Sequence, residues 1–122
     1  MKVVGSTLMG VTLSAAQALQ LWHDVNLDLV HGEEPDLSTR QVTLLLTVYL
    51  EAPPHTVRDL ARKLGVSKPV ITRALDSLGK LELLARRRDE SDRRNVLVQR
   101  TVKGVLYLER LAETVGKLAK QV

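Results

Sequence analysis

The basic side chains of this 122-residue chain are concentrated in one stretch, residues 58–103. That stretch contains thirteen Lys and Arg residues and six acidic residues, a net charge of +7, whereas residues 1–57 have a net charge of −4 and residues 104–122 a net charge of +1. Arginine is charged at every relevant pH, and its planar fork of N–H donors fits phosphate oxygens. A basic patch of this kind is typical of a surface that binds nucleic acid. The alternative, a solvated surface that happens to be basic, is weakened by this segregation of charge.

Residues 56–81 are the segment that has to position this charge, because two helical patterns meet there at a glycine. Thr56 predicts the N-cap of a first helix, in a variant of the capping box. Gly65 can adopt the left-handed conformation that ends this helix without steric cost. Ser67 predicts the N-cap of a second helix, and Pro69 is acceptable in its first turn.

The second of these helices has an apolar face and a polar face. The inward stripe is Ile71, Ala74, Leu75, Leu78 and Leu81, and the outward residues are Lys68, Thr72, Arg73, Asp76 and Lys80. Two helices joined by a glycine turn, with a basic outer face at the start of the second, predict a helix-turn-helix, whose second helix lies in the DNA major groove. Because many small helical domains contain such a pair of helices, this segment alone does not decide for DNA.

A change of period after residue 81 predicts a β-hairpin. Residues 83–88 and 95–100 have the pattern of two strands, and the charged residues 89–94 form the turn between them. A helix-turn-helix followed directly by a hairpin with a basic tip is a winged helix. Its wing, residues 83–100, places the tip where it can reach a neighbouring minor groove, in which arginine is the preferred insert.

The remaining segments predict helices around this centre. A helix over residues 13–31 begins at Ser14, a second starts at Ser38 and ends before two prolines, and a last helix covers residues 101–120. We therefore expect a mainly α fold with a small β-hairpin wing. The whole is predicted to be a single winged-helix domain over residues 13–122, preceded by a flexible N-terminus of residues 1–12.

Several classes of protein are disfavoured by the residues that are present. There is no Cys for disulfide or thiolate chemistry, and the three histidines lack the spacing of metal ligands. The chain has neither a nucleophile elbow nor a glycine-rich phosphate loop, so we expect no enzyme, no metal and no cofactor. The longest apolar run, residues 42–50, is far shorter than the ~20 residues of a membrane span. With no signal-peptide pattern in the first dozen residues, a cytoplasmic protein is expected.

Residues 37–104 resemble the multiple-antibiotic-resistance regulator (MarR) family of winged-helix transcription factors. Four pieces carry the likeness in order and at the family's spacing. They are the opening of the second helix at 37–41, the first helix of the helix-turn-helix with its turn at 59–67, the recognition helix at 67–76, and the wing signature at 89–94 followed by Thr101 and Gly104. Each piece is weak by itself, whereas the four together are specific.

The resemblance implies roles for the matched residues. Those facing the major groove and adjacent phosphates would be Ser67, Lys68, Pro69, Thr72 and Arg73. At the tip of the wing, Arg94 would enter the minor groove beside Arg93, and Asp92 would pair with an arginine and support the shape of the wing. Arg86 and Arg88 are candidates for phosphate contacts. The simpler alternatives are a surface ion pair of ~0–1 kcal/mol for Asp92 and Arg94, and a solvated strand face for the other arginines.

The resemblance also implies a homodimer that assembles through the terminal helices, 13–31 and 101–120. Such a dimer would act, as a repressor, on an inverted repeat of double-stranded DNA with half-sites about one helical turn apart. Three features depart from the family. Glu82 stands where a glycine is usual, so it either takes a left-handed conformation, at a cost of ~1 kcal/mol or more, or the helix ends differently. Arg100 stands before Thr101 where the family usually has a leucine. The chain has one C-terminal helix where the family commonly has two, which leaves open whether a small-molecule effector binds.

Two other functions remain as alternatives. The first is a winged-helix module that binds another protein, against which the polar and basic outer face of residues 67–80 argues mildly. The second is a DNA-binding protein without ligand sensing, either constitutive or regulated by a partner. Because the chain has no Cys, an oxidant sensor based on cysteine is excluded.

Overall fold

A computed structural model describes residues 10–122 and divides them into two compact units: residues 37–109, and residues 10–36 together with 110–122. Its elements are α1 (Ala15–His31), α2 (Thr39–Leu50), β1 (His55–Thr56), α3 (Val57–Leu64), α4 (Lys68–Lys80), β2 (Leu84–Arg88), β3 (Val96–Arg100) and α5 (Val102–Ala119). The predicted fold class, mainly α with a small wing, is confirmed. The flexible N-terminus predicted for residues 1–12 lies mostly outside the described residues. No helix within residues 10–122 is long and apolar enough to cross a membrane.

Capping boxes begin the first two helices. The Ser14 hydroxyl accepts from the backbone N–H of Gln17 at 3.1 Å, and the Gln17 side chain accepts from the Ser14 N–H at 3.0 Å. Ser38 and Gln41 make the same pair of bonds at 3.1 and 2.7 Å. Both starts agree with the sequence, because a capping box depends only on residues three apart.

The helix-turn-helix forms from its local signals. Thr56 accepts from the Asp59 N–H at 3.0 Å, which starts α3. Gly65 ends this helix in the left-handed conformation, with φ 68° and ψ 35°. Ser67 occupies the N-cap position of α4 with extended backbone, but within the described chain its hydroxyl makes no capping hydrogen bond. The predicted cap is therefore correct in position, while the side chain stays available for other partners.

A three-stranded antiparallel sheet, in the order β1-β3-β2, supports the wing. The hairpin predicted from the sequence is confirmed, with Leu84 opposite Arg100 and Arg88 opposite Val96. β1 pairs with β3 and places His55 opposite Val98. The strand that precedes α3 is thus hydrogen-bonded to the wing, and this fixes the base of the wing to the start of the helix-turn-helix.

Aliphatic side chains make up most of the core of residues 37–109, in which Tyr107 is also buried. The largest fully buried side chains are Leu44, Leu45, Val48, Leu60, Ile71, Leu75, Leu78 and Leu83. They come from α2, α3, α4 and the segment before β2, so the core lies directly behind the recognition helix. Leu50 is exposed, which shows that α2 is buried along one side rather than all round.

The junction between α4 and β2 has the strained conformation that was one of two expectations. Glu82 adopts a φ of 61°, in the left-handed region that costs a side-chain-bearing residue ~1–2 kcal/mol. The Thr101 hydroxyl donates to the Glu82 carbonyl at 2.7 Å and accepts from the Gly104 N–H at 2.9 Å. A Cβ atom on Gly104 would lie 2.2 Å from the carbonyl oxygen of Leu83, so only glycine fits there. These bonds clamp the strained turn to the start of α5.

Candidate nucleic-acid interface

The first two turns of α4 present the residues that the sequence assigned to the major groove. Buried Ile71, Ala74, Leu75 and Leu78 hold the opposite side of the helix against the core. With this side fixed, the remaining positions have to face outward. The exposed residues are Ser67, Lys68, Pro69, Thr72 and Arg73. They form one polar surface with two cationic side chains.

A forked ion pair orders the tip of the wing. Arg94 Nε lies 3.0 Å from Asp92 Oδ1 and Arg94 Nη2 lies 3.2 Å from Oδ2, while the Arg94 N–H also donates to Oδ1 at 3.2 Å. Hydrogen bonds from the Arg94 side chain and then from its backbone hold the pKa of Asp92 below its ordinary value, and the same pair raises the pKa of Arg94. The arginine that pairs with Asp92 is therefore Arg94 itself, whose side chain is 84% exposed.

Ser91 gives the tip a second hydrogen-bonded turn. Its hydroxyl and its N–H donate to Asp89 Oδ1 at 2.7 and 2.9 Å. These bonds lower the pKa of Asp89, the hydroxyl contributing most. Both aspartates of the tip are thus ionised and satisfied from within the wing. Arg93, the other arginine of the tip, is exposed, and its carbonyl accepts a hydrogen bond from the wing strand.

Arg86 and Arg88, the predicted phosphate contacts, are both bonded within the protein. Arg86 Nη2 lies 2.7 Å from Asp76 Oδ1, which joins β2 to the recognition helix. Arg88 Nη1 donates to the carbonyl of Arg93 at 2.6 Å and so supports the tip. The Arg86 bond therefore ties the wing to α4, and the Arg88 bond lies within the wing.

A cleft of ≈ 230 Å³ separates the start of the helix-turn-helix from the wing. Its lining residues are Val57, Arg58, Lys68, Thr72, Arg86, Arg94, Asn95 and Val96. The cleft thus brings together Lys68 and Thr72 from the recognition helix with Arg86 and Arg94 from the wing. Ser67, Pro69, Arg73, Arg88 and Arg93 are not part of its lining.

Two residues of the cleft, Arg58 and Asn95, were missed by the sequence reasoning. Arg58 follows Val57, which is buried, and it stands on the exposed side of α3. Its positive charge lies near enough to the wing tip to contribute to the lowered pKa of Asp92. An outward arginine in the first turn of α3 was a usable signal, but sequence distance concealed that α3 and the wing border the same cleft.

Arg100 fixes the other end of the wing. Its Nε donates to the Val48 carbonyl at 3.1 Å and its Nη2 to the Glu51 carbonyl at 3.4 Å, and the guanidinium lies 5.4 Å from the centroid of the Tyr49 ring. Cations at a helix C-terminus are favourable because the last carbonyls carry partial negative charge. The arginine that replaces the family's leucine therefore connects β3 to the end of α2.

The histidines of residues 10–122 do not form part of a cluster of metal ligands. His23 Nδ1 lies 2.9 Å from the neighbouring Asp24, and the ring of buried His55 lies 3.2 Å from the Glu51 carbonyl. Within residues 10–122 no group of three or more His, Asp or Glu residues is placed to hold a metal ion.

Comparisons with known proteins identify this arrangement. The sequence model of the MarR family matches residues 37–96. A MepR variant from S. aureus is 17% identical, with a TM-score of 0.69 over 90% of this chain and 82% of that one. FabT from Streptococcus pneumoniae, solved in complex with DNA, is 26% identical, with a TM-score of 0.63 over 87% and 71%. A MarR variant from E. coli, solved with operator DNA, is 24% identical, with a TM-score of 0.65 over 87% and 70%.

No curated protein matches the chain. The family match covers the helix-turn-helix and the first strand and tip of the wing, and it includes every residue that lines the basic cleft. Residues 37–96 therefore form a winged-helix domain of the MarR family, a family of DNA-binding transcriptional regulators.

Proposed function

We propose that this protein is a sequence-specific regulator of transcription that acts as a homodimeric repressor on an inverted repeat in double-stranded DNA. The observation that carries the proposal is the basic cleft between the start of α4 and the wing, with exposed polar residues on the helix at one side and Arg94 at the other. DNA complexes of FabT and of a MarR variant, both similar in fold, support it.

The recognition helix supplies the contacts in the major groove. Its first turns bring short polar side chains, Ser67 and Thr72, together with the longer Lys68 and Arg73. Arginine can bond two acceptors of one guanine, hydroxyls can bond either type of base edge, and lysine reaches phosphate or guanine. The Ser67 hydroxyl makes no cap bond to α4, so it is free to contact DNA. Pro69 stiffens the first turn without loss of a needed N–H.

Arg94 supplies the contact in the minor groove. A guanidinium has five N–H donors, and Asp92 accepts from two of them, which leaves three for DNA. Arg94 can therefore enter the groove while Asp92 still fixes its direction. A pre-oriented arginine loses less conformational entropy on binding than a free one. Arg93 beside it adds charge to the tip, and Arg86 and Arg88 add phosphate contacts from the strand.

The terminal helices supply the dimer interface. On α1 the side chains of Leu19, Trp22 and Val30 are 71%, 66% and 75% exposed, and on α5 Val115 is 36% exposed. Large apolar side chains concentrated on terminal helices favour cover by a second copy of the same chain. A dimer of this kind has two recognition helices, one for each half-site of an inverted repeat.

The test uses a duplex selected by the wild-type protein from a randomised library. Its affinity is measured over a range of salt concentrations for wild type, Arg94→Ala and Arg87→Ala. We expect log affinity to fall with log salt with a slope equivalent to several phosphates. Arg94→Ala should weaken binding about tenfold or more, since it loses the minor-groove contacts.

Arg87→Ala is the matched control, because it removes the same side chain from the same hairpin away from the cleft. We expect it to weaken binding less than Arg94→Ala. Circular dichroism must show that each variant is folded. Failure to select any duplex at low salt would overturn the proposal and favour a module that binds protein. Equal binding by wild type and Arg94→Ala would overturn only the role of the wing tip, and the proposal of DNA binding would stand.

A further inference from the structure

The cleft lies between the recognition helix and the wing, so its position determines which part of a bound DNA duplex lies over it. In the proposed complex α4 lies in a major groove and the wing tip lies in the adjacent minor groove. One sugar-phosphate strand separates these two grooves. That strand has to pass between α4 and the wing, over the cleft of ≈ 230 Å³. Cationic side chains inside this cleft, between the two grooves, are therefore placed to meet phosphate, while Arg94 at its edge reaches the minor groove.

The four cations of the cleft differ in how far the protein neutralises them. Arg86 is paired with Asp76, and Arg94 is paired with Asp92. Neither Arg58 nor Lys68 has an ion pair within the described part of the chain. These two therefore contribute the uncompensated charge of the cleft.

Asp59, the acidic neighbour of Arg58, does not neutralise it. Its carboxylate lies 3.4 Å from Nη1 of Arg62, the arginine one helical turn after Arg58. Hydrogen bonds from Arg94 are the main cause of the lowered pKa of Asp92 at the wing tip, and the charge of Arg58 adds a smaller contribution to it from α3. The Arg58 side chain is exposed, and among residues 10–122 it makes no ion pair that would have to break when DNA binds.

We propose that Arg58 binds the DNA phosphate that crosses this cleft, together with Lys68. The inference rests on the proposed function and adds to it a contact from α3, outside both the recognition helix and the wing. A phosphate held from α3 on one side and faced by Arg94 on the other connects the helix-turn-helix to the wing through the DNA strand. Contacts of this type fix the register of a protein on the duplex without reading its sequence.

The decisive experiment replaces the phosphates of the selected duplex one at a time with uncharged methylphosphonate linkages. Binding is measured for wild type, Arg58→Gln and Arg58→Lys. Among the linkages at which wild type loses affinity, we expect one in each half-site to lie between the contacts of the recognition helix and those of the wing. In Arg58→Gln this linkage should no longer matter, and affinity for the unmodified duplex should fall about fivefold.

The salt dependence supplies a second readout. Arg58→Gln should reduce the slope of log affinity against log salt by about 0.9 for each protomer bound, since one phosphate contact is lost. Arg58→Lys should keep most of the slope, because a point charge suffices for phosphate. The sequence preference should be the same as in wild type, as a contact to the backbone carries no base information.

Arg62→Gln is the matched control, since it removes the same charge from the same helix outside the cleft lining. Equal losses in Arg58→Gln and Arg62→Gln would overturn the proposal in favour of a general field effect. An unchanged methylphosphonate profile in Arg58→Gln would also overturn it, while the proposed function would stand. If wild type selected no duplex, the proposed function and this inference would fall together. Circular dichroism confirms that each variant is folded.

Discussion

The two compact units of this chain differ in how far each completes its own core. Residues 37–109 bury leucine, isoleucine and valine side chains from α2, α3, α4 and β3. In residues 10–36 and 110–122, Val25 alone among the described apolar side chains is buried, whereas Leu19, Trp22 and Val30 are largely exposed. Within residues 37–109, the residues that line the basic cleft are positioned by contacts inside a single chain. The second unit exposes apolar surface, which is the basis for its proposed role in dimer formation.

The largest effect is expected for a substitution that breaks the first unit from inside. Gly104→Ala would place a methyl group 2.2 Å from the backbone oxygen of Leu83 and would force the turn at Glu82 apart. We expect a loss of about 3 kcal/mol in the free energy of unfolding, or a failure to fold. Urea unfolding followed by circular dichroism measures it.

Gly116→Ala is the control on the same helix, at a position in the second unit with open space around the added methyl group. It should stabilise the protein by about 0.5–1 kcal/mol, because alanine is the better helix former. Similar unfolding energies for the two variants would show that the junction around Gly104 is not tightly packed.

A substitution on α1 tests the exposed surface of the second unit. Trp22→Ala should weaken self-association by about 2 kcal/mol, roughly a thirtyfold higher dissociation constant, because a large aromatic side chain is lost from the interface. Analytical ultracentrifugation over a range of concentrations measures the change. Leu50→Ala removes an exposed leucine from the first unit and should leave self-association unaltered. A wild-type protein that is monomeric throughout would overturn the proposed dimer.

The smallest effect is expected at the strained turn. Glu82→Gly should stabilise the protein by about 0.5–1 kcal/mol, because glycine adopts a φ of 61° without steric cost, partly offset by the greater freedom of the unfolded chain. Glu90→Gly, in the exposed turn of the wing, is the control and should give no stabilisation. Thermal unfolding compares the two. Destabilisation by Glu82→Gly would mean that the glutamate side chain itself supports the junction.

The elements of the fold follow from sequence signals that act over a few residues. Ser14 and Ser38 were expected to start helices, Gly65 to end one, and residues 89–94 to join two strands, and the structure confirms each. Capping and turn formation depend on neighbours three or four positions away, so a sequence displays them directly. The outward surface of α4 followed in the same way from the helical repeat of its apolar residues.

The pairing of Asp92 with Arg94, two residues away, was among the expectations, but the partners of Arg86 and Arg100 could not be foreseen because they lie far away in the sequence. Arg86 pairs with Asp76, ten residues away, and Arg100 bonds a carbonyl 52 residues away. Arg58 was passed over because nothing in its neighbourhood links α3 to the wing. A hydrogen bond requires two groups within about 3.5 Å at a suitable angle, and only the folded chain sets that distance.

By itself, then, the sequence determined the helices, the hairpin, the basic stretch and the family. Local hydrogen bonds and apolar periodicity are written in consecutive residues, and they decide those features. Only the tertiary structure decided that Arg86 is paired with Asp76, that Arg58 and Lys68 have no ion pair among residues 10–122, and that Glu82 takes the left-handed turn held by Thr101. The physical reason is that charge compensation and strain depend on contacts made when distant segments pack together.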